Sequence, residues 1–197
     1  MISSRLLLTI ALCLGMARCS AVANDMLRID PAHSTIGFKV RHLLGSAKGR
    51  FTKFNGSIDF DREQPEKSSV TVAIQAASID TGIAKRDEHL RSEEFFNVQK
   101  FPEITFKSRQ VKRTGANAGE ITGDLTMHGV TRSVTLHIEL LGTPETAVKG
   151  QITRWRITTA PIKRAEFGLS WSNSVEAVSM IGNDVMTDIQ VEAARSQ

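Results

Sequence analysis

The chain has 197 residues, 41% of them apolar, with 25 basic against 21 acidic side chains and a formal net charge of +4. That is apolar material for one folded domain and too much for a disordered chain. The modest charge comes with no basic block and no aromatics spaced along a basic strip, which argues against nucleic acid as a partner.

The first stretch, "MISSRLLLTIALCLGMARCSAVAND", carries Arg5, an apolar run from Leu6 to Leu14, and small residues ending in Ala21-Val22-Ala23. This order predicts a secretory signal peptide over residues 1–23, with an apolar part too short to anchor in a bilayer. The expectation is therefore a periplasmic product of one domain, residues 24–197. Both cysteines, Cys13 and Cys19, fall in the leader. No disulfide would hold the exported domain. Cys19 also raises a lipid-anchored N-terminus, but Arg18 before it fits that processing poorly. Losing Arg5 and Arg18 leaves 23 basic against 21 acidic groups, a charge of +2.

Beyond the leader, apolar residues recur with period two, the mark of strands buried on one face. Ile36, Phe38 and Val40 form one series; Phe54, Ile58 and Phe60 a second, with Asn55-Gly56 inside it as a turn or bulge; Val70, Val72 and Ile74 a third. Ile104 and Phe106 follow, then Ile121, Leu125 and Met127, and then Val134, Leu136, Ile138 and Leu140 set against Thr135, His137 and Glu139. Trp155 and Ile157 suggest another strand, Ile162 its continuation, and Val185, Ile189 and Val191 the last. Turn residues separate these runs in "LLGSAKGR", "REQPEKSS", "RTGANAGE", "MHGVTR", "LGTPET" and "IGND". About eight short antiparallel strands with this spacing imply a sandwich or a barrel.

Residues 81–97, "TGIAKRDEHLRSEEFFN", break the pattern. They are rich in helix formers, and Ser92 followed by Glu93 and Glu94 reads as a helix N-cap with acids in the first turn. Four of the nine phenylalanines, Phe95, Phe96, Phe101 and Phe106, sit at the join between this helical excursion and the next strand. Phe106 suits a β core. Phe95 and Phe96, adjacent on a helix, would point about 100° apart, as a lid over an apolar cavity requires.

Reactive residues give weaker signals. The five histidines, His33, His42, His89, His128 and His137, show no tight metal spacing, so no metal site is expected. No phosphate-binding loop occurs, and "GLSWS" lacks the last glycine of a nucleophile elbow. Arg86, Asp87, His89 and Arg91 form the densest polar cluster. Asp87 with His89 suits general acid and base chemistry, ligand orientation, or a solvated helix face with ion pairs of little worth.

Taken together and in order, "IDPAHSTIGFKVRH", "GRFTKFNGSIDFD", "SIDTG", "RDEHLRSEEFFNVQKFPEITFKS", "GDLTMHGVTRSVTL", "RAEFGLS" and "IGNDVMTDIQVEA" resemble the YceI-like family of exported, polyisoprenoid-binding proteins. The resemblance implies an all-β fold: an eight-stranded antiparallel lipocalin-like β-barrel, a short helical insertion near one mouth, and an apolar cavity for an isoprenoid chain. It departs at Ala165 and Glu166, where serine and aspartate are expected, and in the absence of tyrosine, so no phenol contact carries over.

In that frame the inward residues line a lipid tail: Phe38, Val40, Phe54, Ile58, Val72, Ile74, Leu90, Phe95, Phe96, Phe101, Ile104, Phe106, Leu125, Met127, Leu136 and Ile138. His33, Arg86, Asp87 and His89 are placed at the mouth, against a head group. The expected ligand is an isoprenoid lipid or quinone, with no other cofactor and no catalysis. Expected partners are a membrane or membrane redox protein in transient contact, and a second copy in a dimer. The alternatives are a lipid-modifying hydrolase using Asp87 and His89, and a stress protein with a solid core.

Overall fold

The computed structural model describes residues 25–42, 45–142, 152–170 and 181–195. The predicted leader and the "LGTPET" turn, apart from Leu141 and Gly142, lie outside them. In chain order the strands are β1 (Asp25–Ile29), β2 (Thr35–His42), β3 (Gly45–Phe51), β4 (Phe54–Phe60), β5 (Ser69–Gln75) and β6 (Ile79–Asp80). After the helix α1 (Ala84–Arg91) come β7 (Glu103–Arg113), β8 (Ala118–Met127), β9 (Val130–Gly142), β10 (Ile152–Thr159), β11 (Ile162–Lys163) and β12 (Asp184–Arg195).

Eight of these strands form a closed antiparallel ring, β1-β4-β5-β7-β8-β9-β10-β12, in which β12 pairs back to β1 through Leu27↔Arg195 and Ile29↔Ala193. Closure leaves the ring no free edge. On the edge away from β10, the long β12 serves two of its partners: its last residues meet β1, and Val185–Gln190 meet β2. A ribbon of β2, β3 and β6 therefore branches from the ring.

Three local expectations are corrected by these pairings. "LLGSAKGR" was expected as a turn because Gly, Ser and Lys are poor strand formers. Its residues 45–50 instead begin β3, held by continuous pairing with β2 from His42↔Gly45 to Ile36↔Phe51. Asn55-Gly56 is neither turn nor bulge, since Asn55↔Ala73 and Gly56↔Val72 stay in register. Glycine is needed there for room: a Cβ at Gly56 would lie 2.7 Å from Ile29 Cδ1 and 2.8 Å from Thr71 O. Ser92, expected as an N-cap, caps the C-terminus of α1, where its N–H and its hydroxyl both donate to His89 O. The helix begins after Ile83 without a side-chain cap. Phe95 and Phe96 thus sit in a turn after α1.

The "MHGVTR" turn is present as a two-residue hairpin between β8 and β9, with His128 at φ 52° and Gly129 at φ 75°. Both angles positive is the geometry whose twist matches the flanking strands. A Cβ at Gly129 would also meet the Phe101 ring at 2.6 Å.

Two buried clusters occupy the interior. One, at the end carrying α1, gathers Leu90, Phe95, Phe96, Ile104, Met127, Phe167 and Leu169. The other gathers Leu27, Ile29, Phe54, Trp155, Ile157, Val191 and Ala193.

Candidate ligand-binding cavity

The packed clusters do not fill the barrel. A cavity of about 510 Å³ remains, and its wall is almost entirely apolar. That volume falls within the roughly 300–1,000 Å³ of pockets that enclose small ligands. Every strand of the ring contributes to the wall, which follows from alternation: one side chain in two points inward along each strand. The wall extends from Arg41, His42 and Ala47 on the β2–β3 ribbon to Pro65 and Ser68, in the turn between β4 and β5.

Of the expected tail-lining residues, Phe38, Val40, Phe54, Ile58, Val72 and Ile74 line this space from β2, β4 and β5. Ile104 and Phe106 reach it from β7, Leu125 and Met127 from β8, and Leu136 and Ile138 from β9. Leu90, Phe95 and Phe96 close over it from α1 and the following turn. The two adjacent rings stack edge to face, centroids 5.1 Å apart, and Phe51 meets Phe96 in the same way at 6.1 Å. This is the favoured aromatic arrangement, and it fixes a ring wall at the α1 end.

A family profile for the YceI-like domain matches residues 27–193. The chain belongs to the YceI-like family. A UPF0312 protein of Photorhabdus laumondii is 44% identical over 127 residues, which span 64% of this chain and 66% of that protein. A UPF0312 protein of Vibrio parahaemolyticus is 34% identical over 172 residues, 87% of this chain and 90% of that one. Among solved structures, Burkholderia cenocepacia BcnA superposes with a TM-score of 0.75 at 23% identity, covering 84% of this chain and 99% of that one. A polyisoprenoid binding domain from Saccharophagus degradans gives 0.65 at 16% identity, covering 86% and 98%. At these identities the two structures establish the shared barrel fold.

In this YceI-like barrel, Phe101 is a correction to the tail-lining set. It packs outside the cavity against the β8–β9 turn, its centroid 4.6 Å from that of the His128 ring, with Lys100 Nζ 5.3 Å from its own centroid. Phe101 precedes β7, whose inward residues are Ile104 and Phe106, and takes no part in its alternation.

Among the residues expected at the mouth, only Arg86 reaches the cavity wall. Asp87 is buried beneath α1, where Oδ1 accepts the Thr81 N–H at 3.0 Å and the Thr81 hydroxyl. Arg86 completes this knot by donating from Nε to Thr81 Oγ1 at 2.7 Å and from Nη2 to Thr81 O at 2.9 Å. His89 lies outside the wall, and its Nε2 pairs with Glu94 Oε2 at 2.7 Å. Asp87 and His89 therefore do not face the cavity as an acid and base pair. The knot fastens α1 to β6. Asp87→Ala is expected to cost about 2–3 kcal/mol, the value of a buried hydrogen bond to a charged group, and Asp87→Asn to recover part of it. Urea unfolding checks this; a loss below about 0.5 kcal/mol, the level of an ordinary surface change, would exclude the fastening role.

His33 is also displaced from the expected mouth. It sits in the β1–β2 connection with Nδ1 2.7 Å from Asp30 Oδ2 and 3.9 Å from Glu192 Oε1. The hydrogen bond to Asp30, with the charges of Asp30 and Glu192, raises its pKa above the ordinary 6.5, and the same bond holds Asp30 below 3.8. A raised histidine stabilises the fold fully below the unfolded value and loses that contribution as pH rises through the folded one; the lowered Asp30 contributes above its unfolded value and loses it as pH falls through its folded one. The link is thus strongest between these limits. NMR titration of the His33 ring should give a midpoint above 6.5 that falls back in Asp30→Asn, and equal midpoints would remove the pairing.

Sequence reasoning missed Trp155, Ile157, Ile189 and Val191 as wall residues, although their alternation had marked their strands. It also missed Arg41, His42 and Arg164, which reach the wall alongside Arg86 and several Ser and Thr residues. Arg164 is only 5% exposed. It donates from Nη1 to Leu169 O at 2.7 Å, from Nε to Gly182 O at 3.1 Å and from Nη2 to Ile181 O at 3.3 Å. No spacing in "IKRAEFGLS" announces this, because two of the carbonyls come from a later segment.

Proposed function

We propose that this protein is an exported binding and carrier protein that holds an isoprenoid lipid, a polyprenyl chain or an isoprenoid quinone, inside its barrel. The observation that carries this reading is the apolar cavity of about 510 Å³. The fold neighbour described as a polyisoprenoid binding domain supports the ligand class. Burying a tail contributes about 0.8 kcal/mol per CH₂, so ten enclosed carbons supply roughly 8 kcal/mol before association costs. One polar head contact nets only about 1 kcal/mol. Affinity on this reading resides in the tail, and the head group sets orientation.

The periplasm is the proposed compartment, with loading and unloading by brief contact with the membrane or a membrane redox protein. A solid-core stress protein has no use for the open interior. A hydrolase using Asp87 and His89 has neither group on the cavity wall. The experiment is native purification, lipid extraction and mass spectrometry. A near-stoichiometric isoprenoid is the expected result. An empty protein that turns over an ester or phosphate would defeat the carrier reading.

A further inference from the structure

Outside the cavity, the connection between β1 and β2 runs along the edge of β12 and brings Asp30, His33 and Glu192 together, each offering one donor atom within 4.8 Å of the other two. The backbone fixes this approach. Asp30 N donates to Glu192 O at 2.9 Å, His33 N to Asp30 O at 3.3 Å, and Glu192 N to Ser34 Oγ at 2.9 Å. Ala32 N donates to Asp30 Oδ1 at 2.9 Å, which leaves Oδ2 turned toward the histidine.

The Glu192 side chain is only 8% exposed. Its Oε2 accepts a hydrogen bond from Arg154 Nε at 2.6 Å, while Oε1 receives no hydrogen bond from any of the described residues. That oxygen faces His33 Nδ1 at 3.9 Å. Among the described residues the group it faces is the exposed imidazole, at ion-pair and not hydrogen-bond distance, which leaves room on this oxygen for water or an ion. Arg154 neutralises one carboxylate of the pair, and the cluster retains one uncompensated negative charge when His33 is neutral.

We propose that Asp30, His33 and Glu192 form a site for a divalent transition-metal ion of the Zn²⁺ type. One imidazole and two carboxylates are zinc ligands, and imidazole favours such ions over Mg²⁺ and Ca²⁺. Tetrahedral bonds of about 2.0–2.2 Å place neighbouring donors roughly 3.3–3.6 Å apart. The 3.9 Å separation closes slightly, and the 2.7 Å hydrogen bond between His33 and Asp30 opens as the ion replaces its proton. His33 is 63% exposed, so solvent or another ligand completes the coordination. Residues 30, 33 and 192 meet only because the barrel closes, so no tight spacing in the sequence could reveal them. The ion would fasten the β1–β2 connection to the strand that seals the ring.

The test uses the untagged full chain, stripped with a chelator, titrated with ZnCl₂ in a calorimeter and melted with and without the ion. Expected are one Zn²⁺ per chain, a melting temperature raised by Zn²⁺ but not by equimolar MgCl₂, and affinity at least about tenfold weaker in both His33→Gln and Asp30→Asn, the usual scale for damage to a metal site. Both variants also lose the His33–Asp30 hydrogen bond, so the shift that Zn²⁺ produces is read against each variant's own metal-free melting temperature, whereas Glu192→Gln also disturbs Arg154. Absence of binding at millimolar Zn²⁺ overturns the proposal. So does parental affinity in His33→Gln, which would place the ion on another histidine. Neither outcome touches the cavity or its lipid.

Discussion

Leu136→Trp is expected to empty the barrel of its ligand while leaving the barrel folded. Leu136 lies on β9 between Ile121 of β8 and Thr159 of β10, and it faces the cavity half-buried. A tryptophan there extends into open space. The overpacking penalty of about 1–3 kcal/mol seen in filled cores therefore does not apply, and the added contacts hold the melting temperature level or raise it. The ligand loses what the ring gains. If the indole displaces about five tail carbons, binding weakens by about 4 kcal/mol, close to three orders of magnitude in Kd. Native mass spectrometry of the purified variant and displacement of a fluorescent isoprenoid analogue both read this. Parental lipid content would put the ligand somewhere other than the cavity.

This experiment separates wall residues from core residues, a distinction that alternation alone does not make. Period two in β9 or β5 tells that Leu136 or Val72 points inward; it does not tell whether an opposing side chain meets it across the axis. The inward faces of the strands were legible because each depends on local pattern, and most of the residues named for a tail do line the cavity; the eight-stranded barrel came from the family likeness. Phe101 was misread because it precedes β7, where strand alternation has not yet begun. The polar residues fared worse for a general reason. His33 meets Glu192 only through closure of the ring, and Arg164 meets Ile181 and Gly182 through the pairing of β11 with the start of β12. Their partners lie far along the chain, where spacing carries no information. Asp87 was legible as important but not in its role: a carboxylate beside a histidine looks like acid and base chemistry until Thr81 is found beneath it.

Arg164→Ala is expected to be the most destabilising single change in the polar framework. The guanidinium holds three backbone carbonyls at once, those of Leu169, Ile181 and Gly182, and it ties the turn at residues 164–167 to the approach of β12. Phe167 and Leu169, 1% and 2% exposed, ride on that turn and pack in the cluster that also holds Phe95 and Phe96. Each hydrogen bond to a charged group is worth about 1.5–3 kcal/mol, and removing the donor leaves buried carbonyls unsatisfied. The three share one side chain and do not add, so a loss of about 4 kcal/mol is expected, a large part of the roughly 5–15 kcal/mol that holds a domain together. Arg164→Lys separates charge from geometry. A single ammonium keeps the charge but cannot span three carbonyls as the planar fork does, so it should recover less than half the loss. Urea unfolding monitored by tryptophan fluorescence gives both values from the midpoint at constant slope. If lysine restores the parental midpoint, charge beside the cavity matters more than the fork, and Arg164 belongs to ligand recognition instead of to the frame that shapes the cavity wall.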